Sequence, residues 1–179
     1  AVRFMASTVY YPDSNAMILV GGRTDAVYYD EVWLLKLTPG AESWRPVAVS
    51  GTHPPLRSSA TCVLDSANNR IILFGGEGNS GSYNDVWSLD LATWAWTSLS
   101  PYGTPPTPRY EHTGIYDPVG HRMIVFGGKS GSTYYNEVRS LSLNSGSETW
   151  TLLSPSGTAP NPRGRQFTCY DPVQNNMVL

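Results

Sequence analysis

The sequence predicts an all-β chain built from stacked copies of one four-stranded antiparallel unit, and three observations predict it. The first is periodicity. Gly21-Gly22, Gly75-Gly76 and Gly127-Gly128 stand 54 and then 52 residues apart, and Arg3, Arg57, Arg109 and Arg163 are spaced 54, 52 and 54. Trp44, Trp96 and Trp150 form another series, Gly51, Gly103 and Gly157 a fourth, and Trp33, Trp87 and Arg139 a fifth. A fixed period of this length marks one supersecondary unit copied along the chain. The second observation is that no segment carries a helical period, whereas short apolar runs recur in every copy. The third is composition: 40% hydrophobic, 12% aromatic and only 15% charged, with 17 Gly and 14 Pro, which suits short strands joined by many turns.

The copy at 57–108 shows the elements in order. Ser59 to Leu64 reads as a strand, and Asp65-Ser66-Ala67-Asn68-Asn69 as a turn. Ile71-Ile72-Leu73-Phe74 is a continuous apolar run, as expected of a strand covered on both faces. Glu77 to Tyr83 reads as a loop of Gly, Ser and Asn. From Val86 to Leu91 the residues alternate, with Trp87, Leu89 and Leu91 on one side. Trp94 to Leu99 makes a fourth strand, and the prolines at 101, 105, 106 and 108 rule out a helix after it. Met17-Ile18-Leu19-Val20 and Met123-Ile124-Val125-Phe126 repeat the covered strand in the neighbouring copies. A single meander cannot cover two apolar faces, so the units must stack.

Four strands per unit of this length indicate a β-propeller rather than a solenoid. Phe74-Gly75-Gly76, the run Tyr83-Asn84-Asp85-Val86-Trp87-Ser88-Leu89-Asp90-Leu91, Trp96, Gly103 and Pro106-Thr107-Pro108-Arg109-Tyr110-Glu111-His112 resemble the kelch repeat, in the variant opening Pro-x-Pro-Arg-x-x-His. The resemblance spans essentially the whole chain. It implies a kelch-type β-propeller with repeats at 3–56, 57–108 and 109–162 and a partial repeat at 163–179. That gives three full blades plus the first half of a fourth, an incomplete ring. A blade face and an unfinished sheet edge would then be exposed, with the ring completed by further sequence of a longer protein or by another chain. The motif's His occurs once, as His112, with Ala6, Ala60 and Gln166 in its place elsewhere; Arg139 stands where the third unit would carry tryptophan and needs a polar partner.

Strand direction places the loops 23–29, 77–84, 129–135, 46–56, 99–109 and 153–162 on one face and the short turns on the other. The resemblance implies that the long-loop face is the ligand or partner surface. Its binding candidates are Arg57, Arg109, Tyr110, Glu111, Arg163, Tyr28, Tyr102, Tyr134, Glu77 and Lys129. Tyrosine with Ser, Gly and Asn supplies rigid amphipathic area and adaptable polar contacts, and arginine adds bidentate recognition of carboxylates. The competing role for the arginines is to tie blade to blade through carbonyls or through Asp30, Asp85 and Glu137. Tyr29, Tyr83 and Tyr135 recur in register and are expected to frame the loops.

His53, His112 and His121 fall at places that cannot converge on one metal, so no catalytic residue, metal site or cofactor is expected. Glu111 and His112 are neighbours in a strand and point to opposite faces. Gly75-Gly76-Glu77-Gly78 lacks the helix and lysine of a phosphate loop. The net charge of -2 gives no case for nucleic acid or an anionic membrane. No run reads as a signal peptide or transmembrane segment, and nothing assigns a compartment. Cys62 and Cys169 lie two repeats apart, beyond the roughly 4.4–6.8 Å Cα reach of a disulfide, and are expected to be free, buried thiols. The leading expectation is a non-catalytic binding module for a protein or peptide. A kelch-type lyase, isomerase or hydrolase acting on a carbohydrate or small metabolite, and a self-associating scaffold, are the alternatives.

Overall fold

The computed structural model describes residues 2–179; among them there is no α-helix, only strands, turns and a short 3-10 turn at Pro12–Ser14. Three antiparallel blades and a half-blade stand in chain order, and the ring they begin is not closed. The first blade is Ser7–Tyr11, Ala16–Val20, Val32–Lys36 and Ser43–Val47. The second contains Thr61–Asp65, Arg70–Gly78, Gly81–Asp90 and Ala95–Leu99, and the third Thr113–Asp117, Arg122–Phe126, Val138–Ser142 and Thr149–Leu153. The half-blade is the hairpin Cys169–Asp171 and Asn176–Val178. Register repeats with sequence: Trp33 sits between Leu19 and Pro46, Trp87 between Leu73 and Ser98, and Arg139 between Val125 and Leu152.

Two details differ from the sequence reading. The second and third blades carry a fifth, two-residue strand donated by the preceding copy. Ser50–Gly51 runs parallel to Ala95-Trp96, and Tyr102–Gly103 parallel to Thr149-Trp150. The segment 77–83 is also a paired hairpin tip rather than a loop. A bulge lies between Phe74 and Gly76, and pairing then resumes as Gly76 with Tyr83 and Glu77 with Ser82. Gly75 and Gly76, at φ 63 and 100, make that bulge possible; a Cβ on Gly76 would lie 2.7 Å from the Ser58 carbonyl.

The core lies between blades. Ile18, Val20, Val32 and Leu34 of the first pack on Ile71, Leu73, Trp87, Leu89 and Trp96 of the second. Val63, Ile72, Phe74 and Val86 of the second then pack on Met123, Val125, Leu141, Leu143 and Trp150 of the third. The continuous apolar run 71–74 is therefore covered on both sides. At the lower end, buried Asp65 accepts from Arg70 and Asn68 and contacts His121 of the third blade at 3.1 Å, while Arg70 also donates to Glu148. Both cysteines are free, but Cys169 is exposed, not buried, because its side of the half-blade has no neighbour among the described residues; Cys62 is partly buried.

Along the inner edge a chain of backbone bonds links successive copies. Ser59 N–H donates to Met5 O, Glu111 N–H to Ser59 O and Arg165 N–H to Glu111 O, at 2.8, 3.1 and 2.9 Å. All four residues have φ between 55 and 61, so a left-handed residue two positions after each repeated arginine turns the chain at the hub.

Candidate binding face

The repeated arginines set the frame of the long-loop face. Arg57 N–H donates to Tyr29 O of the first blade, and its own carbonyl accepts from Gly22 N–H. Its guanidinium points the other way, into the second blade, to Gly75 O at 2.8 Å and both Asp85 oxygens at 2.7 Å, with the Tyr83 ring 4.4 Å away. Arg109 repeats this with Tyr83 O, Gly76, Gly127 O, Glu137 and the Tyr135 ring. Arg3 does so with Gly21 O, Glu31 and Tyr29. Arg57 and Arg109 thus pin their backbone to one blade and their side chain to the next, while Arg3 makes the side-chain half of this arrangement. The acid in the first blade is Glu31, not Asp30, because Glu31 shares the register of Asp85 and Glu137.

That carboxylate has a second donor. Trp33 and Trp87 give it their indole N–H at 2.9 and 2.7 Å, and Arg139 donates to Glu137 at 3.0 and 3.2 Å. A guanidinium therefore substitutes for indole at this position by keeping the same bond to the acid. Burial pushes the Asp85 carboxyl up, but the Arg57 guanidinium and the Trp87 N–H outweigh it and hold the group below the usual carboxylate range.

Arg57 and Arg109 are only 2% and 0% exposed, so neither guanidinium is offered to a partner. Arg163 is exposed and donates to Asn161 O. Tyr102 is solvent-facing but lies on the outermost strand of the third blade, at the edge of the sheet opposite the inner strand. The other six candidates sit along the inner rim. Glu77 pairs with Ser58 and Lys129 with Tyr110 across the first residues after each Gly-Gly, and Lys129 pairs with Tyr134 across the hairpin tip.

One device appears twice on this rim. In the third blade the Lys129 ammonium stands 5.1 Å from the Tyr110 ring centre and 5.6 Å from that of Tyr134. In the first blade the Arg23 guanidinium stands 5.6 Å from Phe4 and 5.0 Å from Tyr28, and donates to the Tyr28 hydroxyl at 2.9 Å. The same three positions of the second blade hold Ser58, Glu77 and Ser82. Glu77 accepts from Arg23 at 3.2 Å, so the first two blades are joined there by charge. Glu111 accepts from Arg165 at 2.7 Å and lies 3.5 Å from the Lys129 ammonium. Arg23, Phe4 and Arg165 were absent from the sequence-based set, although register carries the signal: they align with Lys129, Tyr110 and Glu111.

His112 is buried beside Phe74, with ring centres 5.0 Å apart, and neither ring nitrogen has a close hydrogen-bond partner. Burial, then the Arg109 charge, lowers its pKa to about 3, so the imidazole is a neutral wedge between blades. Among the described residues no three His, Cys, Asp or Glu side chains group within reach of one metal ion, and no helix is long and apolar enough to cross a membrane.

Blades of this build, with arginine rivets and a bulged Gly-Gly hairpin in each, define an open kelch-type β-propeller. Residues 3–179 match the KLHDC2/KLHL20/DRC7 Kelch-repeats domain, and the chain belongs to this kelch-repeat family. It is 31% identical over 161 residues to the flagellar outer arm dynein alpha chain of Chlamydomonas reinhardtii, covering 87% of this chain and 4% of that protein. To acyl-CoA-binding domain-containing protein 5 of Arabidopsis thaliana it is 29% identical over 154 residues, 85% of this chain and 23% of the relative. The Rab9 effector protein with kelch motifs of Bos taurus is 32% identical over 131 residues, 70% of this chain and 34% of that protein. The chain thus spans about a third or less of the length of each of these relatives.

Proposed function

We propose that the chain is a non-catalytic binding module that engages a protein or peptide partner through its long-loop face. The observation that carries this reading is the paired aromatic–cation–aromatic arrangement on the first and third blades, whose counterparts in the second blade are Ser58, Glu77 and Ser82. Aromatic rings held by neighbouring cations present contact area that loses little entropy on binding. Partly exposed Arg and Tyr are also the side chains that most often dominate protein interfaces. The Rab9 effector relative supports the reading by its name. Tyr28, Glu77, Tyr110, Lys129 and Tyr134 form the contact set, joined by Arg23, Phe4 and Arg165, while Arg57, Arg109 and the buried Glu111 hold the frame.

Selection of displayed random peptides against the intact chain tests this. The selected peptides should lose at least about tenfold in affinity to a Tyr110→Ala/Tyr134→Ala variant. The variant's melting midpoint should stay within about 2 °C of the parent. Peptides that bind parent and variant equally, or a variant that no longer melts cooperatively near the parent midpoint, would overturn the assignment.

A further inference from the structure

The third blade departs from the repeat at two places, and the two places touch. Each copy leads to its repeated arginine through a Gly-Thr connector: Gly51-Thr52-His53-Pro54, Gly103-Thr104-Pro105-Pro106 and Gly157-Thr158-Ala159-Pro160. Of these three threonines only Thr104 stands directly before a proline. In the strand beside that connector, Arg139 takes the place held by Trp33 and Trp87 in the other blades. Arg139 Nη1 donates to the Thr104 carbonyl oxygen at 3.1 Å. Thr104 is exposed and lies in irregular backbone just after the two-residue strand Tyr102–Gly103. The proline after it favours an extended backbone, the form in which a protein kinase takes its substrate. Thr107, the other threonine-proline of this connector, has its hydroxyl occupied, because buried Arg109 donates to it at 3.0 Å.

Charge at this position also differs between blades. In the first two, one arginine faces one carboxylate, Arg3 with Glu31 and Arg57 with Asp85, and the tryptophan adds a neutral N–H. In the third, Arg109 and Arg139 share the single carboxylate of Glu137, so the group keeps one uncompensated positive charge. Arg139 also has donors to spare. Its Nε and Nη2 serve Glu137 and its Nη1 serves Thr104, which leaves two of its five N–H groups, one on each terminal nitrogen.

We propose that Thr104 is a phosphoryl acceptor for a proline-directed serine/threonine kinase and that Arg139 is the receptor for its phosphate. Thr104 Oγ attacks the γ-phosphorus of ATP. The Oγ–P bond forms, the bond from that phosphorus to the β–γ bridging oxygen breaks, ADP leaves, and the hydroxyl proton passes to the base of the kinase. The phosphothreonine carries about −1.5 to −2 charges at pH 7 and three acceptor oxygens. These take the two free N–H groups of Arg139 and offset the excess charge beside Glu137. The phosphate ties the connector to the third blade and tightens the joint between the second blade and the third.

The intact chain, incubated with ATP, magnesium and a proline-directed kinase and mapped by mass spectrometry, should carry phosphate on Thr104; absence of phosphate there would overturn the proposal. Phosphorus NMR then reads the receptor. The second ionisation of phosphothreonine 104 should fall at least about 0.5 pH unit lower in the parent than in Arg139→Trp, which restores the residue of the other copies. Phosphorylation should also raise the melting midpoint by about 2–4 °C in the parent and leave that of Arg139→Trp unchanged. Equal titration midpoints or equal thermal shifts in the two chains would remove Arg139 as the receptor. Thr104→Val, treated with the kinase in the same way, carries phosphate only at other positions. A thermal shift that survives in it would count against Thr104.

Discussion

The strands Arg70–Gly78 and Asn176–Val178 hold the same place in the second blade and in the half-blade, yet the first is buried almost throughout and the second is mostly exposed. Both follow an Asp-initiated turn and both pair antiparallel with an inner strand. The difference is what stands beside them. The second blade is sandwiched, with Ile71 and Leu73 facing one neighbour and Ile72 and Phe74 the other. In a stacked-repeat architecture the burial of each unit is largely supplied by adjacent units. The blade is a local motif, but its stability is a property of the stack.

The sharpest way to break that comparison uses two arginines in the same register. Arg109→Ala removes a fully buried partner from Glu137 and Gly127 O, and denaturant unfolding should show a loss of about 3–5 kcal/mol. Arg163→Ala, whose side chain is exposed, should change stability by less than about 0.5 kcal/mol. Equal losses would mean that the rivet does not depend on its neighbours.

A smaller effect follows from His112. Its folded pKa, near 3, lies below the unfolded value near 6.5, so between these pH values the unfolded chain binds the extra proton. Its stabilising contribution is complete above about pH 6.5 and drains away as pH falls toward 3, reaching about 2 kcal/mol lost at pH 5. His112→Gln should remove this part of the slope. Gln166 already occupies the position in the next copy and donates to Phe126 O at 2.9 Å. Urea midpoints at pH 7 and pH 5 check it, and an undiminished slope in the variant would contradict the assignment.

The architecture was legible because it rests on residues that cannot move in register: Gly-Gly for the bulge, tryptophan or Arg139 for the bond to the acid, and the apolar runs for a strand covered twice. The rim was only partly legible. That arginine recurs was plain, but the side its guanidinium takes depends on the strand crossing at the hub. The constant interval of 28 residues to Glu31, Asp85 and Glu137 was the available clue. Tyr102 was assigned to the long-loop face because the repeated Gly51, Gly103 and Gly157 were read as part of a loop, although Gly51 and Gly103 mark short parallel strands. Arg23 was passed over because it was read as part of a loop rather than as the counterpart of Glu77 and Lys129.

Residue-resolved hydrogen exchange across the whole chain tests most directly whether neighbours supply a blade's order. The account predicts the slowest amides at Ile71 to Phe74, intermediate rates at Met17 to Val20 with one covered face, and the fastest strand amides at Cys169 to Asp171. Uniform protection across all three segments would contradict it.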